Sequence, residues 1–287
     1  MIEPLSEVIQ RQSRPLQSQP TNVEPAVQSL SNIKAVLFDI YGTLLISASG
    51  DIGCDQREHR IRSIAQVGES MSLDIAGQSA KLVDDFESRV RELHLLAKQD
   101  GVGYPEVDFR EVWASVLGDT LDPSDVPQFT LEFEMLVNPT WPMPQSREVL
   151  QQLQALRMIM GIVSNAQFFT PPLLEGLFET SLDELGFSQN LRYFSYEHQQ
   201  AKPGTYLYEL ARQKLIDLGI SQKEVLYVGN DMLNDVAAAA KVGFRTALFA
   251  GDARSLRWRS DDDRVHGVEA DIVVTELPQL VYCLSSH

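Results

Sequence analysis

Cysteine, tryptophan and positive charge are scarce in this 287-residue chain, and no apolar run is long enough to span a membrane. The two cysteines, Cys54 and Cys283, stand far apart. A chain of this length buries a sizeable core without covalent staples, so they read as free thiols in a reducing compartment. A membrane helix needs about 20 apolar residues in succession, so no spanning segment is expected. The first ten residues carry no apolar stretch of signal-peptide type, which makes the cytoplasm the expected location. Lysine and arginine number 24 against 40 acidic residues, a net charge of −16. Such a surface repels nucleic acid and anionic membrane. Neither is an expected partner, and an anionic small molecule binds only where local cations or a metal receive it. The five histidines form no metal-spaced cluster. The sequence says nothing of oligomeric state.

Residues 1–31 are rich in Gln, Ser and Pro, with only scattered apolar side chains. They predict a disordered or loosely packed arm, in which an amphipathic stretch from Leu5 to Ile9 is the one segment able to dock. Order begins at Ile33. The run Ala35-Val36-Leu37-Phe38 reads as a strand buried on both faces. From about 51 to 139 the pattern turns helical, with Leu82, Val83, Phe86, Val90, Leu93 and Leu96 repeating at three and four. Strands and helices then alternate. Strands are predicted at 158–163, 192–195, 225–228, 246–249 and 272–274, and helices at 147–156, 206–218 and 235–242, the last closed by Gly243. This order predicts a doubly wound parallel sheet between helices, a three-layer α/β/α core. Its bounds are 32–46 and 140–287, with a helical cap inserted at 47–139.

Polar residues collect where the apolar strands end. Asp39 and Thr43 follow the first, Ser164 and Asn165 the second, Lys202 the third after a loop, and Asp231 and Asp235 the fourth. In open parallel sheets ligands bind outside the carboxyl ends of the strands, so these residues are expected on one rim. A carboxylate at a strand tip can attack an electrophile and form a covalent intermediate. Ser164 and Asn165 can donate to an anionic oxygen, and a lysine can neutralise charge that develops there. Grouped carboxylates with a backbone carbonyl suit Mg²⁺, a hard ion that prefers oxygen ligands. Taken singly, each residue also has a plainer reading. Asp39 and Asp235 serve equally as turn or helix-cap residues, Ser164-Asn165 as a turn, and Lys202 as a solvated side chain. Arg57, Arg60 and Arg62 read first as a solvated helix face, and Trp113 and Trp141 as packing for the cap and a hinge.

Taken in order, Asp39-Ile40-Tyr41-Gly42-Thr43, Ser164-Asn165, Lys202-Pro203 and Gly229-Asn230-Asp231 to Asp235 resemble the four motifs of the haloacid dehalogenase-like superfamily. The helical block after the first motif is similar to that family's inserted helical cap. The resemblance spans residues 33–276. It implies a hydrolase in which Asp39 is the nucleophile, and Ser164, Asn165 and Lys202 contact the anionic group. Mg²⁺ would be held by Asp39, the Tyr41 carbonyl and Asp231, with Asp235 a direct or outer ligand.

Tyr41 departs from the family's phosphatases, which carry there the aspartate that protonates the leaving oxygen. The family's 2-haloacid dehalogenases resemble this chain at that position, and a departing halide needs no proton. Asp231 and Asp235, by contrast, resemble the metal-dependent phosphatases. The leading expectation is therefore a Mg²⁺-dependent phosphohydrolase acting on a small phosphorylated metabolite. A 2-haloacid dehalogenase-type hydrolase and a catalytically silent binding protein stand as alternatives.

Overall fold

The computed structural model describes residues 4–50 and 56–285. Cys54 therefore lies outside the described residues, while Cys283 is a buried free thiol. The chain runs α1 (Leu5–Gln12), β1 (Ala35–Phe38), β2 (Leu45–Ser47), α2 (Arg57–Ser70), α3 (Ser79–Gln99), α4 (Phe109–Leu117), α5 (Val126–Val137) and β3 (Thr140–Pro142). It continues α6 (Ser146–Ala155), β4 (Ile159–Ser164), α7 (Thr170–Phe178), β5 (Phe187–Phe194), α8 (Ser195–His198), α9 (Tyr206–Asp217) and β6 (Val225–Gly229). A π-helical turn, Met232–Ala237, leads into α10 (Ala238–Lys241), followed by β7 (Arg245–Phe249), β8 (Ile272–Val274) and α11 (Pro278–Leu284).

Six strands form one parallel sheet in the order β5-β4-β1-β6-β7-β8. Side chains alternate between the faces of each strand. On β1, Ala35 and Leu37 pack with Leu207, Tyr208, Ala211 and Leu215 of α9. Val36 and Phe38 face the opposite cluster, with Leu150 and Leu153 of α6, Leu173 and Leu174 of α7, and Leu280 of α11. Helices thus cover both faces, which is why β1 is apolar without a break. β1 is central, with β4 on one side and β6 on the other. The carboxyl end of β1 is therefore the switch point, where the connections diverge and a crevice opens.

Helices α2 to α5 are inserted between β2 and β3 as a cap and have their own core. Trp113 is fully buried there, its ring against Phe86, Phe129 and Phe133. Trp141 lies in β3, opposite Ile46 of β2, in a two-stranded antiparallel ribbon that joins cap and core. Of the three arginines that open the cap, Arg57 is exposed and paired with Asp84. Arg60 is instead buried, 2.7 Å from Glu87. Residues 104–109 bind the cap to the core: Ala201 donates to the Tyr104 carbonyl at 2.7 Å, and Gln167 Nε2 to that of Val107 at 2.8 Å.

The described part of the N-terminal arm is neither disordered nor loose. Val8 and Ile9 of α1 are fully buried against α7 and α5. A Cβ on Gly176 of α7 would stand 2.8 Å from Ile9 Cγ2, so the glycine makes the groove that α1 occupies. Farther on, Gln19 accepts from the Ala253 amide at 2.9 Å, and Thr21 Oγ1 donates to the Ala250 carbonyl at 2.6 Å. Ala26 exchanges two 2.9 Å backbone bonds with Val273 of β8, covering the exposed edge of the sheet. Composition underrated this arm because two apolar side chains and a row of backbone bonds suffice to anchor it. No helix of the described residues is long and apolar enough to cross a membrane.

Candidate active site

Asp39 follows β1 directly, and its amide donates to the Val228 carbonyl of β6 at 2.9 Å. Its side chain is buried at the switch point. Oδ1 accepts from Ser164 Oγ at 2.8 Å and from Lys202 Nζ at 2.8 Å. Oδ2 has no hydrogen bond among the described residues. Ser164 ends β4, so two adjacent strand tips supply the pair.

Lys202 arrives from the loop after β5. Asn165 brackets it, its Oδ1 accepting from the Lys202 amide at 2.7 Å and its Nδ2 donating to the Lys202 carbonyl at 3.2 Å. All three protons of the ammonium are engaged: by Asp39, by Asp235 Oδ1 at 2.6 Å and by the Tyr227 hydroxyl at 3.1 Å. The Tyr227 hydroxyl in turn donates to the Val163 carbonyl at 2.7 Å. Burial alone would lower the Lys202 pKa, but Asp235 and Asp39 hold it well above the ordinary lysine value. Burial pushes the Asp235 carboxyl up, to about 7, against the opposing pull of Lys202. Lys202 is thus the permanently charged member of the pair, and Asp235 the member that titrates. Gly229 permits this arrangement, since a Cβ there would lie 2.3 Å from Asp235 Cγ.

The first motif turns sharply after Asp39. Gly42 has φ +80°, and a Cβ on it would stand 2.4 Å from Ser255 Cβ. Thr43 makes no hydrogen bond to Asp39. Its hydroxyl donates to Asn230 Oδ1 at 3.2 Å and ties the turn to the fourth motif. Tyr41 lies two residues after Asp39, and its hydroxyl is 2.9 Å from Thr170 Oγ1.

Asp39, Asn165, Lys202, Asp231 and Asp235 line one cavity of about 30 Å³. Such a volume is of the size of a water molecule or two. Two of the expected metal ligands, Asp231 and Asp235, are otherwise engaged. Asp231 Oδ1 accepts from the amides of Leu233 and Asn234 at 2.8 and 3.1 Å, capping the π-helical turn. Its Oδ2 accepts from Arg259 Nη2 at 2.6 Å and Nε at 3.0 Å. Asp235 Oδ2 accepts from the Asp231 amide at 2.9 Å. Among the described residues no three His, Cys, Asp or Glu side chains are grouped as metal ligands. Arranged this way, the residues do not fit a divalent ion, which would have to displace Arg259 and Lys202 first.

Sequence reasoning missed Tyr227, Thr170, Arg257 and Arg259. Tyr227 passed as one more apolar residue of β6. The two arginines lie in an irregular loop after β7, where only their charge against an acidic background was a signal.

Fold and rim together define a hydrolase on a parallel α/β core with a helical cap. The chain belongs to the haloacid dehalogenase-like hydrolases, whose family model matches residues 33–243. No curated protein matches it. Among solved structures it is similar to a 2-haloacid dehalogenase from Pseudomonas syringae pv. Tomato DC3000, at 18% identity and a TM-score of 0.55, covering 88% of this chain and 97% of that one. It is also similar to an L-2-haloacid dehalogenase from Xanthobacter autotrophicus, solved with chloropropionic acid covalently bound, at 21% identity and a TM-score of 0.50, covering 87% and 97%. A HAD phosphatase from Thermococcus onnurineus matches at 18% identity and a TM-score of 0.53, covering 86% and 96%. At these identities the likenesses establish the fold.

Proposed function

We propose that the protein is a dehalogenase-type hydrolase acting on a small 2-halocarboxylate, with Asp39 as nucleophile. The observation that carries this reading is Tyr41. The place of the leaving-group acid holds a tyrosine, and its hydroxyl is bonded to Thr170. A leaving group that departs without a proton suits such a site. The solved relatives named for 2-haloacids agree with this reading.

In this reading Asp39 Oδ2 attacks the halogen-bearing carbon. A carbon–oxygen bond forms, the carbon–halogen bond breaks, and halide leaves with the electron pair, giving an aspartyl ester. Water then attacks Cγ of that ester and gives its proton to Asp235, whose carboxyl is raised to about 7 by burial. Lys202 and Ser164, already on Oδ1, steady the charge that gathers there. The Cγ–O ester bond then breaks, the departing alkoxide takes the proton back from Asp235 and leaves as the alcohol, and the second water proton passes to solvent as the Asp39 carboxylate is restored.

A second reading is a Mg²⁺-dependent phosphohydrolase on a small phosphorylated substrate. It is favoured by one observation: Asp39, Asp231 and Asp235 line the same cavity. The test is release of halide from 2-chloropropionate and of phosphate from a panel of phosphate esters, with Mg²⁺ or with chelator. Halide release that survives chelator and is abolished by Asp39→Asn is the expected result. Phosphate release that requires Mg²⁺, without halide release, would replace the first reading by the second. Neither product would leave a binding protein.

A further inference from the structure

Three carboxylates surround the cavity, and one lysine lies among them. With all three ionised, that set carries a charge of −2, the deficit a divalent cation would neutralise. Two further cations reach the same place, both from the loop after β7. Arg259 binds Oδ2 of Asp231 through two nitrogens, and Arg257 forms part of the cavity wall.

Neither arginine arrives by chance of a side-chain rotamer. The loop backbone is laid alongside the fourth motif: the Arg257 amide donates to the Asn230 carbonyl at 2.9 Å, and the Met232 amide donates to the Arg257 carbonyl at 2.9 Å. Asp231 is bracketed between those bonds. The Arg257 guanidinium is held from behind, its Nη1 donating to the carbonyls of Arg254 and Leu256 at 2.6 and 3.1 Å. A planar guanidinium matches a carboxylate through two parallel bonds, stays charged at every accessible pH, and needs no empty coordination shell.

We infer that Arg257 and Arg259 stand in for a divalent cation, supplying its two positive charges and closing the Asp231 carboxylate to metal. Removing Arg259 uncovers an Asp231 oxygen next to two further carboxylates and so creates a divalent-metal site that the native protein lacks. The inference deepens the metal-independent reading of this site, and a Mg²⁺-dependent phosphatase would exclude it.

The test is Mn²⁺ binding followed by electron paramagnetic resonance and by calorimetry, with Mg²⁺-dependent shifts in melting temperature alongside. The native protein is expected to show the same melting temperature in Mg²⁺ and in chelator, and no stoichiometric Mn²⁺ site. Arg259→Gln is expected to bind one Mn²⁺ at least about tenfold more tightly than the native chain. Arg259→Gln combined with Asp231→Asn should lose that gain. A stoichiometric Mn²⁺ site or a Mg²⁺-linked stabilisation in the native protein overturns the inference, and that measurement needs no variant. A folded Arg259→Gln protein without new affinity overturns it too. Because metal binding is read directly, failure of the halide assay leaves this result standing, and the reverse holds as well.

Discussion

Lys202 Nζ and Asp39 Oδ1 are 2.8 Å apart, on the very oxygen that also accepts from Ser164. One oxygen of Asp39 is therefore held twice while the other has no partner among the described residues, and the carboxylate is fixed in one orientation. Replacing Lys202 by Met should lower turnover by on the order of a hundredfold or more. It also strands Asp39 and Asp235 as buried carboxylates, at a stability cost of about 3–5 kcal/mol. Ser164→Ala removes one charge-assisted bond and should slow turnover about tenfold at a smaller stability cost, about 1.5–3 kcal/mol. Steady-state rates and thermal unfolding on the two variants separate the roles. Equal losses for both would contradict the assignment.

Asp235 gives a pH signature. Its carboxyl is raised to about 7 in the folded protein, with burial the largest cause, whereas an unfolded aspartate titrates near 3.9. Between about pH 4 and pH 7 the folded chain holds a proton that the unfolded chain has released. Stability contributed by this group therefore falls as pH rises through that window, and is flat above it. Asp235→Asn abolishes the slope. Denaturant unfolding of both proteins at several pH values should show the native chain losing ground to the variant by a few kcal/mol over that range, to order of magnitude. Lys202 follows the same sign in a higher window. Its raised pKa contributes stability present below the ordinary lysine value and lost only in strong alkali.

The first-motif turn leaves no room for a side chain at residue 42. Gly42→Ala meets both a positive φ and a Cβ contact of 2.4 Å with Ser255. The expected loss is about 1–3 kcal/mol, and the displaced Asp39 should cost activity beyond what stability explains. Calorimetry together with rates measured well below the melting temperature distinguishes the two effects. Full activity in a stable Gly42→Ala protein would refute the packing argument.

Truncating Ile9 tests the arm. The side chain is fully buried in the α7 groove, so Ile9→Ala should cost about 2–5 kcal/mol if α1 unfolds together with the core. If α1 only frays locally, the global transition will stay in place while amide exchange in residues 5–12 speeds up. No change in either observable would mean that the helix is not docked in solution.

The rim was legible because strands end where apolar runs end. Asp39, Ser164, Lys202 and Asp235 are far apart in sequence, yet the parallel topology brings them within hydrogen-bond reach. Less legible was anything that depends on how a loop or a short helix packs. Helix α7 opens with Pro171 and Pro172 in its first turn, residues that read as loop until the helix behind them is seen. The helix expected to begin at Asp235 starts at Met232 with a π-helical turn, because the Asp231 side chain caps it. The same capping, with Arg259, turns Asp231 from an expected metal ligand into one half of an ion pair. Thr43 read as a site residue for its place in the motif, yet it bonds Asn230 instead. No pattern of residue types in the sequence shows which partner a side chain will find.

The chain crosses from core to cap and back through β2 and β3, and the two crossings are hydrogen-bonded to each other. Such a pair flexes like the spine of a book. It folds across its width but cannot let its two pages slide past one another. The helical region is therefore joined to the core through one paired ribbon. Because α1 grips both α7 and α5, the far margin is latched as well as hinged. Together with residues 104–109, the start of the polypeptide is thus one of the ties that hold the helical region to the core, far along the chain from Asp39.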